Sequence, residues 1–344
     1  MSKRKRWAVS PAVLLLSWAI GASVIAAGTA GGSRTWVQDF EKSTAGWFNL
    51  PPGTIHRVPS WYISPPGYAS GLVSAHGNWH ARLRANGCDV MRFAMTCSGP
   101  YTYWGKTIGA NAKFPKGGYM TEVDVYLDVD WVQKAGGRMD YRFDWSSAIN
   151  DSTGAHQRDF VFNVGTPPLN PEAIAMPGFY VGASTNATRG SAFPTNPCPN
   201  PSTPPNYCRT PVKIAQSGWY TFRHSFYPRH HLGTDYLAVD FTVLRHDGTV
   251  MANWFISVTD VQDPLDSDRL SRIGGDRYGW FVINEIEDLA IDCSNLRPRA
   301  LDHPALRTSC LESVHQDPRD HGDHGDEDDE DGKREKYDRE WDDD

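Results

Sequence analysis

From about Thr35 to Leu296 the chain runs through short stretches in which apolar and polar residues alternate, and helical periodicity is absent over any long window. The clearest stretch is Tyr119–Trp131. There Thr121, Val123, Val125, Leu127, Val129 and Trp131 occupy one set of alternate positions, while Glu122, Asp124, Tyr126, Asp128 and Asp130 occupy the other. Successive side chains of a strand point to opposite faces, so this pattern predicts an antiparallel strand with one buried face and one wet face. Further strands are predicted at Arg138–Trp145, Arg158–Val164, Gly178–Ala183, Trp219–Tyr227, Tyr236–Leu244, Val250–Val258, Tyr278–Ile283 and Leu289–Cys293. Asp247 and Gly248 between two of them supply the backbone freedom of a hairpin turn. Many short strands with turn residues between them predict an all-β, two-sheet antiparallel sandwich of jelly-roll, concanavalin A-like type. Aromatic residues, 12% of the chain, supply the apolar bulk that such a core needs.

The ends break the pattern. Lys3–Arg6, an apolar run over Ala12–Ile20 and small residues through Ala30 form the layout of a secretory signal peptide. That run is too short for an ordinary membrane span. The expected order is a signal over 1–30, a β domain over 35–296, a disulfide-tied extension over 297–314 and a disordered acidic tail over 315–344. The tail predicts disorder because residues 317–344 hold 15 Asp/Glu against 5 Lys/Arg and have little to bury. With a net charge of −7 for the whole chain, the rest is close to neutral. No basic surface is implied, which argues against nucleic acid.

Six cysteines in an exported chain predict disulfides. Neighbours in sequence are Cys88 with Cys97, Cys198 with Cys208 and Cys293 with Cys310, and this sequential pairing is favoured because each closes a short loop. Six cysteines allow 15 connectivities. Zinc binding is the weaker alternative, since no Cys-x-x-Cys occurs. Two long loops, around Cys88–Cys97 and over Thr185–Pro211, interrupt the strands.

Asp39, Phe40 and Glu41, followed by Thr44–Trp47, resemble the opening strand of secreted jelly-roll modules, especially carbohydrate-binding modules of the family 4, 9 and 22 type. Leu289–Asp292 resembles their closing strand. The resemblance implies first and last strands that lie close together and a structural calcium ion held by Glu41 and Asp292, with Asp39 as a helper. Ordinary strand-end carboxylates are the alternative for the same residues. Gly274–Phe281 also resembles a closing segment of uncharacterised bacterial secreted proteins, which names no activity.

A ligand site is expected on the polar face of Tyr119–Trp131. If Arg138–Trp145 were its neighbour, Glu122, Asp124, Tyr126, Arg142 and Asp144 would share one sheet face. Carboxylates and an arginine bind sugar hydroxyls and a tyrosine ring stacks on a pyranose, so a polysaccharide or surface glycan is the expected partner. A solvated face with cross-strand ion pairs is the competing expectation. Catalysis is the minority reading. Glu122 with Asp124, or Glu285 with Glu287, have spacing compatible with glycoside hydrolysis. The Glu-x-Asp-x-x-Glu signature of jelly-roll glucanases and the motifs of jelly-roll lyases are nevertheless missing, as are a nucleophile elbow and a phosphate loop. His80 and His224 are candidate bases, His230 and His231 candidate metal ligands, and the tail histidines His315, His321 and His324 weak cation collectors. A structural role is expected for each of the lone histidines. The leading expectation is a secreted, non-catalytic glycan-binding protein; a polysaccharide-cleaving enzyme and a structural extracellular protein are the alternatives.

Overall fold

The computed structural model describes residues 35–49, 53–59, 72–85, 99–105, 113–129, 142–165, 178–187, 211–260, 263–283 and 289–299, with backbone alone at 53–59, 84–85, 142 and 283. These residues form fifteen strands and no helix, so none is a helix able to cross a membrane. In chain order they are β1 (Trp36–Gln38), β2 (Trp47–Phe48), β3 (Gly53–Pro59), β4 (Trp79–Ala85), β5 (Tyr101–Thr102), β6 (Tyr119–Leu127), β7 (Arg142–Asp151) and β8 (His156–Gly165). There follow β9 (Phe179–Thr185), β10 (Val212–Ile214), β11 (Gly218–His231), β12 (Thr234–Arg245), β13 (Val250–Ile256), β14 (Ile273–Ile283) and β15 (Leu289–Pro298).

The strands form two antiparallel sheets. Sheet A has the order β13-β12-β11-β6-β15-β4-β3, with β1 also on β15, and sheet B has the order β10-β9-β8-β7-β14-β5-β2. Local hairpins make the meanders β7–β10 and β11–β13. The last two strands behave differently: β14 lies between β7 and β5, and β15 between β6 and β4. The first and last strands pair directly, Trp36 opposite Leu296.

The core lies between the sheets. Val123, Val125 and Leu127 of β6 and Phe222 and Phe226 of β11 face Phe143 and Trp145 of β7 and Phe160 and Phe162 of β8, all fully buried. Edge-to-face ring pairs cross the gap, among them Phe162 with Phe222 at 5.2 Å and Phe160 with Phe226 at 5.4 Å. Each such ring contributes about 1.5–3 kcal/mol by leaving water. Gly279 of β14 is required here, because a Cβ would stand 2.5 Å from Trp104 and 2.6 Å from Trp145.

Two expectations change. The polar side of β6 is not wet: every residue of the strand is buried except half-buried Tyr126. Nor do Tyr119–Trp131 and Arg138–Trp145 form neighbouring strands, since β6 belongs to sheet A and β7 to sheet B. The β12–β13 hairpin forms as predicted, with Gly248 at φ +87°. The β11–β12 ribbon runs further than predicted, to His231 and Thr234, through a turn with Leu232 and Gly233 both at positive φ. Pro228 is tolerated within β11 because pairing with β6 has ended at Phe226.

Candidate functional site

The outer face of sheet A centres on an irregularity in β15. One edge of β15 pairs with β6, and that register slips between Asp292 and Ser294, where Cys293 has φ 23°. On the other edge β4 takes Leu289–Ile291 and β1 takes Ser294–Leu296. The segments after β1 and before β4 meet at this split. Glu41 Oε1 accepts hydrogen bonds from the N–H groups of Asn78 and Trp79, both at 2.8 Å. Gly77, at φ +60°, makes room for that carboxylate, since a Cβ there would lie 2.4 Å from Glu41 Oε1.

His76 ties the same segment to β6 and β15. Its N–H donates to Asp292 Oδ2 at 2.9 Å and its Nε2 meets Asp124 Oδ2 at 2.8 Å. The Thr221 hydroxyl donates to the other Asp124 oxygen, and the Cys293 N–H donates to Asp292 Oδ1 at 2.8 Å. Burial pushes the Asp292 carboxyl well above the usual aspartate range; the two N–H groups oppose the shift, while the charges of Asp124 and Glu41 reinforce it. Asp39 accepts from the N–H of Glu41 at 3.1 Å, a local turn contact.

Glu122 lies one pair along β6 and is fully buried. Burial alone would raise its pKa, yet Arg223 and Arg297, both bonded to Oε1, hold it below the ordinary glutamate value. His80 bonds Ser74 at 3.0 Å, and burial with Arg82 nearby lowers its pKa to about 4, so it is neutral at physiological pH. Tyr126 stands edge-on to Trp219 at 5.5 Å. These carboxylates bond arginines, a histidine or backbone N–H groups, and two of the candidate catalytic acids, Glu122 and Asp124, are buried.

Of the five predicted ligand-binding residues, Glu122, Asp124 and Tyr126 share this face; Arg142 and Asp144 stand on β7 in the other sheet. Asp144 is buried and accepts from Asn163 at 2.7 Å. Of the predicted calcium ligands, Glu41 and Asp292 grip the same 76–79 segment and Asp39 does not. Calcium requires six to eight oxygens. Here the described contacts bring N–H donors to all three carboxylates. One group of metal-ligating side chains does converge among the described residues: ligand atoms of His76, Asp124 and Cys293 lie within 4.8 Å of one another. Cys293 is disulfide-bonded. Cys88, Cys97, Cys198, Cys208, Cys310, Glu285, Glu287 and the tail histidines lie outside the described residues.

The remaining histidines have structural settings. His224 of β11 points into the core against Phe162 at 4.6 Å and Phe241 at 4.8 Å, and burial lowers its pKa to about 3. His230 bonds Asp235 at 2.8 Å on the exposed ribbon.

The outer face of sheet B has another chemistry, missed at the level of sequence. Register places Phe48 of β2, Tyr101 of β5 and Trp280 of β14 in one cross-strand row. Phe48 stacks on Tyr101 at 5.3 Å, Tyr101 meets Tyr103 at 5.3 Å, and Tyr103 leads to Tyr278 at 6.5 Å. Tyr278 continues to Trp280 at 6.4 Å and to His156 at 6.3 Å. Phe48 is 38% exposed, His156 is exposed, and the other four rings are half-buried. Burial, with the Asp159 charge beside it, raises the Tyr278 phenol pKa. The signal in the sequence was aromatic-x-aromatic spacing at Tyr101–Tyr103 and Tyr278–Trp280, which puts both rings of each pair on one side of a strand.

The described residues thus define an all-β, two-sheet antiparallel sandwich with one locked polar face and one aromatic face. No protein-family model matches the chain, and no curated protein matches it. Among solved structures, a protein of unknown function from Shewanella oneidensis MR-1 is 8% identical, covering 79% of this chain and 89% of that one, with a TM-score of 0.37. That likeness is too loose to carry a functional inference.

Proposed function

We propose that this chain is an exported, non-catalytic glycan-binding protein whose binding surface is the aromatic strip on sheet B. One observation carries the reading: Phe48, Tyr101, Tyr103, Tyr278, Trp280 and His156 form a continuous run of partly exposed rings on a rigid sheet. Aromatic rings offer large, amphipathic contact area with little rotamer entropy to lose. The apolar face of a pyranose matches such a surface, and a polymer can lie along several rings at once. Enzymatic cleavage through Glu122 and Asp124 is disfavoured, because both are buried and already bonded to Arg223, Arg297, His76 and Thr221.

The test is retention of the purified full-length chain in affinity gels across a panel of neutral and charged polysaccharides, beside Tyr101→Ala, Tyr103→Ala and Trp280→Ala. Retention by at least one polysaccharide, weakened in all three variants with thermal unfolding still cooperative, supports the proposal. No retention on any polysaccharide, or retention that the three substitutions leave unchanged, overturns it.

A further inference from the structure

Cys293, His76 and Asp124 converge on sheet A, away from the aromatic strip of sheet B. Cys293 lies at the β15 bulge and is 1% exposed, His76 is 5% exposed and Asp124 1%. Their ligand atoms lie within 4.8 Å of one another. A tetrahedral zinc site with bonds of 2.0–2.3 Å separates its ligands by about 3.5 Å, so shifts of about an ångström, with Nε2 of His76 giving up its 2.8 Å contact with Asp124 for the metal, would bring the three onto one ion. We propose that reduction of the Cys293 disulfide opens a zinc-class metal site formed by Cys293, His76 and Asp124.

The chemistry follows from the sulfur. In a disulfide the sulfur is uncharged and ligates divalent ions poorly, whereas a thiolate is a strong ligand for zinc. A thiol or phosphine reductant supplies two electrons; with two protons, the disulfide becomes two thiols. Binding of the ion then displaces the proton of the Cys293 thiol, and the metal keeps its oxidation state. Thiolate, imidazole and carboxylate together select zinc or cobalt over calcium or magnesium. The three protein ligands leave a fourth position for water.

The surroundings are those of a positioned site. The Thr221 hydroxyl holds the far oxygen of Asp124, and the backbone N–H of His76 is anchored on Asp292. His76 Nδ1 is buried and has no partner among the described residues, so that nitrogen can donate or accept without breaking another bond. Support of this kind contributes about 10–100-fold to metal affinity when the first ligands are in place.

The experiment titrates cobalt(II), then zinc, into three forms of the full chain: oxidised, reduced by a phosphine, and a form in which Cys88, Cys97, Cys198, Cys208 and Cys310 are replaced by Ser so that Cys293 is the only thiol. The expected result is a thiolate-to-cobalt charge-transfer band at one equivalent in the second and third forms, absent from the first, and bleached by zinc. His76→Ala and Asp124→Asn should each weaken cobalt binding at least about tenfold, and Thr221→Val by a similar factor through loss of support to Asp124. Cys293→Ser should abolish the band in the reduced chain. A reduced, folded chain with no band overturns the proposal, as does a band that survives Cys293→Ser. Loss of the β-sheet circular dichroism in both thiol forms overturns it too, since a folded protein would then never present the free thiolate.

Discussion

The outer faces of the two sheets solve opposite problems with similar strand geometry. Sheet A buries acidic side chains: Glu122 between Arg223 and Arg297, Asp124 against His76 and Thr221, and Asp292 under two N–H groups. Sheet B leaves rings partly in water, with Phe48, Tyr101 and Trp280 in register across three strands. A buried ion pair is costly to break and contributes little net stability when intact, while partly exposed rings cost little to keep and offer contact to a partner. The difference teaches that acidic side chains on a strand do not by themselves mark the binding face.

The largest effect should come from breaking the polar face. Glu122→Ala removes the buried carboxylate that Arg223 and Arg297 share and should lower unfolding free energy by about 3–5 kcal/mol in urea titrations, with glycan retention unchanged at temperatures where the chain is folded. A loss below about 1 kcal/mol would mean the face is not locked. The core between the faces supplies the next effect. His224 has a folded pKa of about 3 against 6.5 for the unfolded group, so the unfolded chain binds more protons between those values. Stability should be unaffected by this group above pH 6.5 and fall as pH drops through that window, by at most about 1.4 kcal/mol per pH unit. His224→Phe should flatten that slope, read as unfolding midpoint against pH; an unchanged slope would place the acid sensitivity elsewhere.

On the aromatic face, Trp280→Ala should weaken glycan binding by about 2 kcal/mol, roughly 30-fold, if the ring is a central anchor. Gly77→Ala, by contrast, touches only the polar face: its positive φ and the Glu41 carboxylate should cost at least about 1–2 kcal/mol of stability. The smallest effect is expected from metal removal. Chelation should leave the melting temperature of the oxidised chain unchanged, because N–H donors already serve Glu41 and Asp292. A fall reversed by added calcium would return those two residues to the role their strand-end position suggested.

Much of the sandwich was legible because period two survives wherever one side of a strand meets the core, as at Val123, Val125 and Leu127. The site was less legible. Alternation separates two faces but does not say that the polar one is wet, so Glu122 and Asp124 read as open until the partners from β11 and β15 are placed beside them. Those partners stand about 100 and 170 residues away in the chain. Nor does it say which sheet a strand joins: Arg142 and Asp144 follow β6 in sequence but belong to β7 across the core. Glu41 and Asp292 lie near the pairing of the first and last strands, β1 with β15; three of the N–H groups that bond them come from the 76–79 segment, which carried no such signal, and one from Cys293.

The central position of β14 and β15 has a consequence for how the molecule is made. A chain emerging from a ribosome or a translocation pore can zip up its two meanders as they appear, but β6 and β7 wait with an unpaired edge until residues 273–298 arrive. Such exposed edges invite pairing with the wrong strand. Truncation before Leu289 should therefore yield insoluble material rather than a smaller folded unit, and a holding factor during passage would act on the chain over that interval.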